Sequence, residues 1–123
     1  METKTARLAL TGLAHDTRLA IFRLLVPAGP EGLPAGELGD QLHLAAATLS
    51  FHLKELRHAG LVSQQRAGRS IFYAADYTAM NGLIAYLTEN CCQGVACTPA
   101  APAAARYAKN SRAVRHRKSR GQT

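Results

Sequence analysis

The sequence has few cysteines, no long hydrophobic run and no acidic residue near its C-terminus. Three cysteines, an odd number, are too few for a disulfide scaffold and indicate a cytoplasmic protein with working thiols. No hydrophobic run approaches the roughly 20 residues that a membrane-spanning helix needs. Residues 1–5 lead into no signal-peptide core. We therefore predict a cytoplasmic protein with no membrane partner.

Charge is distributed unevenly along the 123 residues, whose formal net charge is +7. Residues 1–105 carry eight cations and eight acids, so this stretch is neutral. The other seven cations lie in residues 106–123, behind an Ala/Pro-rich stretch that is typical of a semi-stiff linker. We predict one globular domain over residues 1–97 and a linker with a disordered basic tail over 98–123. Such a tail favours contact with nucleic acid, although solvation alone is the alternative.

Hydrophobic periodicity predicts a mainly α fold with one β-hairpin (α+β). Two β-prone segments, 61–65 and 70–74, flank a turn at 66–69. Five helices are expected: a short one near Leu8–Leu13, one capped by Asp16 or Thr17 and ended by Pro27 with Gly29 and Pro30, and three over 34–42, 45–58 and 77–91.

The third and fourth helices form the pattern of a helix-turn-helix, because only about two residues separate them. Gly39 in the third helix is expected where another helix crosses closely. With the hairpin after them and a last helix beyond, the element order predicts a winged helix-turn-helix.

The fourth helix is predicted to bind DNA. Leu49, Leu53 and Leu56 mark its buried face. Small, hydroxyl and cationic side chains lie on its other side and on the hairpin, where they suit base edges and phosphates. Phe51 is expected to meet a thymine methyl group, and His52 to be a packed, hydrogen-bonded histidine rather than a ligand. The predicted DNA-binding residues are Ala47, Thr48, Ser50, Phe51, Lys54, Arg57, Arg66 and Arg69.

The first and last helices carry more apolar surface than one small domain is expected to hide. An isologous dimer that packs these helices together would bury it. The alternative is that the same side chains cover the core of a monomer. We predict a homodimer whose interface includes Leu8, Met80, Leu83, Ile84 and Leu87.

The three cysteines, Cys91, Cys92 and Cys97, follow closely on one another near the end of the last predicted helix. Zinc takes four ligands, and none of the five histidines has a spacing that supplies the fourth. Three thiolates suit a soft, three-coordinate ion. The spacing favours As(III) as the ligand, with Sb(III) as a further possibility, and zinc is not expected.

Three segments resemble the ArsR/SmtB family of metalloregulatory repressors, and the resemblance covers residues 6–97. They are the signature at 13–21, the fourth-helix segment at 47–56 and the wing at 68–73. The segment 87–92 resembles the arsenical-resistance repressors, whose arsenite site follows the last helix. The resemblance implies a homodimeric winged-helix repressor that leaves its operator when As(III) binds Cys91, Cys92 and Cys97.

Two other metal sites of the family have no counterpart in this sequence. Residues 36–40 replace the Cys-Val-Cys arrangement of the third helix. The last helix has Asp76 and Glu89 but no histidine between them. Both differences count against sensing of zinc, cadmium or lead.

The sequence thus predicts an arsenite-responsive repressor that binds double-stranded operator DNA as a dimer. One alternative is a thiol redox sensor on the same scaffold, which would switch by joining Cys91 or Cys92 to Cys97. A second alternative is a non-sensing architectural DNA-binding protein. An enzyme is not expected, because no acid–base or nucleophile constellation accompanies a plausible pocket.

Overall fold

The computed structural model describes residues 1–94, so Cys97 and the predicted basic tail lie outside the described residues. The described elements are α1 (Thr3–Leu13), α2 (Asp16–Ala28), β1 (Leu33–Pro34), α3 (Ala35–Leu42), α4 (Ala46–His58), β2 (Val62–Ala67), β3 (Ser70–Ala75), α5 (Tyr77–Leu87) and a 3₁₀ turn (Cys91–Gly94). The predicted winged helix-turn-helix is confirmed. The chain divides into two compact units, Met1–Glu89 and a second unit that begins at Asn90.

The hydrophobic core joins α2, α3 and α4 to the start of the hairpin. Its largest fully buried side chains are Ile21, Leu25, Leu38, Leu53, Leu56 and Leu61. Burial of each such side chain contributes about 1.5–3 kcal/mol. The buried face of α4 is therefore anchored from several directions, and this fixes which of its residues face outward.

The wing is an antiparallel hairpin whose register runs from Val62 opposite Ala75 to Ala67 opposite Ser70. The predicted hairpin is confirmed, with strands slightly longer than expected. The turn consists only of Gly68 and Arg69. Arg66 is paired with Ile71 in the strand, so the predicted turn over 66–69 was too wide at its start.

Strand β1 was not predicted. Its two residues, Leu33 and Pro34, pair with Tyr73 and Phe72, so the sheet order is β1-β3-β2. Gly32 precedes β1 with a φ of +72°, and an added Cβ would overlap the carbonyl oxygen of Tyr73. Glycine is therefore required at this position on two counts, its φ and its close approach to β3.

Helix α2 ends where it was predicted to end but begins with a different cap. Its N-cap is His15, whose Nδ1 accepts a hydrogen bond from the backbone N–H of Thr17 at 3.1 Å, so the expected caps at Asp16 or Thr17 were wrong. Pro27 lies inside the last turn and Gly29 is the C-cap with a φ of 87°, so the predicted stop at Pro27, Gly29 and Pro30 is confirmed. The hydroxyl of Tyr77 donates to the carbonyl oxygen of Val26 at 2.7 Å, which satisfies a carbonyl at the helix C-terminus.

Helix α5 ends at Leu87 rather than at Cys91. The Thr88 hydroxyl donates to the carbonyl oxygen of Ile84 at 2.8 Å. Side-chain bonds of this kind compete with helix continuation. The first two cysteines therefore lie beyond the helix. None of the helices within residues 1–94 has the length and apolar character needed to cross a membrane.

Candidate nucleic-acid interface

The turn between α3 and α4 is tight and well defined. His43 adopts a left-handed conformation with φ 55° and ψ 47°. The N–H of Leu44 then donates to the carbonyl oxygen of Gly39 at 2.9 Å. An added Cβ at Gly39 would lie 3.3 Å from the carbonyl oxygen of Leu44 and 3.6 Å from Leu49 Cδ2. The tight approach at Gly39 is therefore to the carbonyl of the turn itself, whereas the helix expected to cross there, α4, is in ordinary van der Waals contact through Leu49.

Helix α4 has a buried face and an exposed face. Leu49, Leu53 and Leu56 are buried, as predicted. Phe51 stands out on the exposed face, because 56% of this large apolar side chain is accessible. The other predicted DNA-binding residues of the helix are exposed as well: Ala47, Thr48, Ser50, Lys54 and Arg57.

Cations extend this surface from α4 onto the wing, where Arg66 and Arg69 are both exposed. Strand β2 packs against α4, so the two elements are neighbours. Between residues 54 and 69 the only acidic side chain is Glu55. We call the exposed residues of α4 and these two arginines the α4–wing surface. Its positive charge and small hydroxyl residues suit phosphates and base edges.

His52 is confirmed as a packed histidine, because only 7% of it is exposed. Its Nδ1 lies 3.4 Å from Nη1 of Arg18, which donates the hydrogen bond. Burial, above all, lowers the pKa of His52, and the charges of His15 and Arg18 lower it further, whereas Glu55 raises it. Sequence reasoning missed Arg18 and His15, since the contact spans 34 residues of chain.

The residues predicted for the dimer interface fall into two groups. Leu8, Ile84 and Leu87 are exposed, at 42%, 53% and 58%. Leu83 is buried within the protomer, and Met80 packs against the core cluster. We call the exposed apolar residues of the two helices the α1–α5 surface. A hydrogen bond of 2.7 Å between Thr3 Oγ1 and the Tyr86 hydroxyl links α1 to α5.

The cysteine segment is described as far as Gly94. Cys91 and Cys92 are both exposed, and their Sγ atoms are 3.6 Å apart. No group of three potential metal ligands occurs within residues 1–94. The third predicted ligand, Cys97, is outside that range.

Cys92 is disulfide-bonded. The bond is not to Cys91, because 3.6 Å far exceeds the roughly 2.05 Å of a disulfide. Cys92 has a backbone φ of 57°, a left-handed conformation that is uncommon for residues other than glycine. The same conformation occurs at Asn90 and Gln93. Reduction of this disulfide is a precondition for any site that uses Cys92 as a thiolate.

Comparison with known proteins shows which family this chain belongs to. A family described as a helix-turn-helix domain matches residues 13–65. The transcriptional regulator YgaV of Escherichia coli K12 is 36% identical over 83 residues, which are 68% of this chain and 82% of YgaV. An ArsR-like transcriptional regulator from Rhodococcus sp. RHA1 superimposes with a TM-score of 0.60 at 26% identity, over 68% of this chain and 76% of that one. The chain belongs to the ArsR family of transcriptional regulators.

Two further relatives bear on what this ArsR-family protein does. The transcriptional activator HlyU of Vibrio cholerae is 33% identical over 95 residues, which are 76% of this chain and 85% of HlyU. A solved structure described as a possible transcriptional regulator for arsenical resistance has a TM-score of 0.57 at 28% identity, covering 64% of this chain and 79% of that one. The relatives are transcriptional regulators, which confirms the prediction that this chain is not an enzyme.

Proposed function

We propose that this ArsR-family regulator is an arsenite-responsive repressor. As a homodimer it binds a palindromic operator, and it leaves the operator when As(III) bonds the thiolates of Cys91, Cys92 and Cys97. The observation that carries the DNA-binding part is the α4–wing surface, a cationic and hydroxyl-bearing face held on a buried leucine face.

Each residue of that surface has a distinct role in the proposed complex. Thr48, Ser50, Phe51 and Lys54 enter the major groove, where Phe51 meets a thymine methyl group and Lys54 a phosphate. Ala47 allows close approach of the helix start, and Arg57 binds the backbone. Arg66 and Arg69 contact flanking phosphates or enter the minor groove.

The adjacent sulfurs of Cys91 and Cys92 support the arsenite part. Thiolates are the ligands that a soft ion prefers, and both side chains are accessible. Sb(III) has the same preference for thiolates and is expected to act in the same way. Because Cys92 is disulfide-bonded, the protein must be reduced before it can bind either ion.

The effector acts close to the helix that carries the exposed leucines. Only residues 88–90 separate the end of α5 from Cys91. Ligation of three cysteines restrains the chain directly after α5. It thereby changes the spacing of the two reading heads, which are the α4–wing surfaces of the two protomers. A coupling free energy of roughly 1–3 kcal/mol suffices for a fivefold to 150-fold loss of operator affinity.

Titration of arsenite into the reduced protein on a labelled fragment of its own upstream DNA tests this proposal, with anisotropy as the readout and zinc in a parallel series. Arsenite alone is expected to release the wild type. Cys91→Ser and Cys97→Ser should bind DNA normally and stay bound, while Gln93→Ala in the same segment should respond like the wild type. A Cys91→Ser or Cys97→Ser protein that still leaves the DNA would contradict the three-thiolate site.

The direction of regulation needs its own measurement, because HlyU is named an activator. A reporter gene behind the same upstream fragment should be silenced by the protein and restored by arsenite. Activation of the reporter would overturn the repressor assignment without affecting the effector assignment.

A thiol redox sensor is the second candidate, and the disulfide at Cys92 is the observation that favours it. In this scheme peroxide oxidises two thiols to a disulfide and is itself reduced to two molecules of water. A peroxide series in the same titration distinguishes the two. Release by peroxide without release by arsenite would replace the arsenite proposal with the redox one.

A further inference from the structure

Arg18 joins three elements of the DNA-binding unit through one side chain. It lies in the first turn of α2, and its Nε donates to the carbonyl oxygen of Gly12 on α1 at 2.6 Å. Its Nη1 donates to Nδ1 of His52 on α4 at 3.4 Å. A rigid guanidinium fork is suited to hold two acceptors at once. Arg18 therefore fixes α4 relative to both α1 and α2.

His52 lies next in sequence to Phe51, an exposed aromatic residue of the reading helix. Phe51 is 56% accessible, whereas His52 is 7% accessible. Their rings meet edge to face, with centroids 5.2 Å apart and planes at 68°. The ring of His15 lies 4.7 Å from that of His52. Any rotation of α4 that displaces His52 therefore also displaces Phe51.

The contact with Arg18 requires Nδ1 of His52 to be unprotonated. Arginine has only donors, so Nδ1 of His52 must carry the lone pair, and Nδ1 of His15 likewise accepts from the N–H of Thr17. The charged or titratable groups that face His52 are Arg18 and His15 of the α2 segment and Glu55 of α4. From α1 the cluster receives the carbonyl of Gly12. A proton on Nδ1 would point an N–H at the guanidinium and add a like charge.

We propose that Arg18 and His52 are positioning residues for operator recognition, and that they hold α4 at its reading angle only while His52 is neutral. This inference rests on the proposed reading of DNA by α4. It assigns sequence discrimination to a buried contact behind the helix, in addition to the exposed residues.

The test uses the full-length wild type and two duplexes of equal length: one selected from random sequences by the protein itself, and a scrambled version. The ratio of their affinities is measured at constant ionic strength from pH 7.5 to pH 5. A change in the overall charge of the protein acts on both duplexes and cancels in the ratio. The ratio should stay constant down to pH 6.5. It should then fall, at the limit by about tenfold per pH unit below the His52 pKa.

Imidazole NMR signals of the wild type report when His52 gains its proton. The affinity ratio should fall with pH along the titration curve of these signals. His52→Asn, whose amide oxygen can accept from Arg18 without titrating, should keep the ratio at pH 7.5 and lose its pH dependence. In His58→Gln, at the exposed end of the same helix, the affinity ratio should fall with pH as it does in the wild type. Arg18→Lys should lower the ratio at pH 7.5 and leave binding to the scrambled duplex unchanged.

Three results would overturn the proposal: a constant ratio while His52 titrates, an equal fall in His52→Asn, or an unchanged ratio in Arg18→Lys. If instead the wild type does not discriminate between the duplexes at pH 7.5, the proposed reading of DNA by α4 is itself wrong. The failure of the positioning contact is thus separable from the failure of the proposed function.

Discussion

The α4–wing surface and the α1–α5 surface lie on one small body and differ in chemistry. The first exposes hydroxyl groups and four cations around a single large apolar side chain, Phe51. The second exposes Leu8, Ile84 and Leu87. Water and phosphate suit the first, whereas apolar surface on a monomer is normally covered by a partner. Under the proposed function, the first surface binds DNA and the second binds a second copy of the chain.

Disruption of the α1–α5 surface should have the largest effect. Ile84→Glu combined with Leu87→Glu places two charges where a dimer would bury apolar surface. The protein is expected to become a monomer and to lose at least about 100-fold in operator affinity, because two linked reading heads bind far more tightly than one. Light scattering and anisotropy measure the two effects. The control variant Leu19→Glu, at a leucine of α2 that is 44% exposed, should remain dimeric. If the double variant also remains dimeric, the proposed interface is wrong.

Removal of residues 106–123 should have the next largest effect. Seven cations without an acid are expected to add salt-sensitive affinity that is independent of DNA sequence. The truncated protein should lose affinity for selected and scrambled duplexes alike, and the logarithm of its affinity should vary less steeply with that of the salt concentration. An unchanged slope would show that the tail does not contact the DNA.

Truncation of Phe51 should weaken binding by about tenfold, the size of one lost base contact. Because the side chain is more than half exposed, thermal unfolding should hardly change. Replacement of thymine by uracil in the operator removes the methyl group that Phe51 is proposed to meet. At the contacted position, the losses of binding free energy caused by Phe51→Ala and by this replacement should not add, because each change removes the same contact. If the two losses add fully at every thymine, Phe51 does not contact a thymine methyl group.

Lys54→Ala should have the smallest effect. One phosphate contact is lost from each protomer. The slope of the logarithm of affinity against the logarithm of salt concentration should therefore become shallower by about one for each contact. Preference among DNA sequences should stay the same, because phosphate contacts carry no base information. A change in the preferred operator sequence would instead assign Lys54 to a base edge.

Much of the fold followed from local patterns in the sequence. The leucines of α4 recur at helical spacing, and Gly68 lies between two β-prone segments, so the helix and the hairpin were both predictable. Strand β1 was not, because its two residues are extended only through their pairing with β3. The cap of α2 was missed because imidazole is not among the preferred capping groups.

The candidate site was predictable to the extent that it lies on the exposed side of one helix. The outward residues of α4 follow from its buried leucines alone. The contact of Arg18 with His52 does not, since it depends on how two helices separated by 34 residues are packed. The end of α5 at Leu87 was also missed, because the apolar pattern did not reveal the hydrogen bond of Thr88 to Ile84.

Gly32 has a consequence for how mutational surveys of this protein should be interpreted. It lies in a connecting segment and is no part of the proposed DNA contacts, yet any side chain there would push β1 away from β3. Because α3 begins directly after β1, the displacement would reach both the helix-turn-helix and the wing. A screen for loss of DNA binding would therefore recover substitutions at position 32 that resemble contact mutations. Their lowered thermal stability would distinguish them.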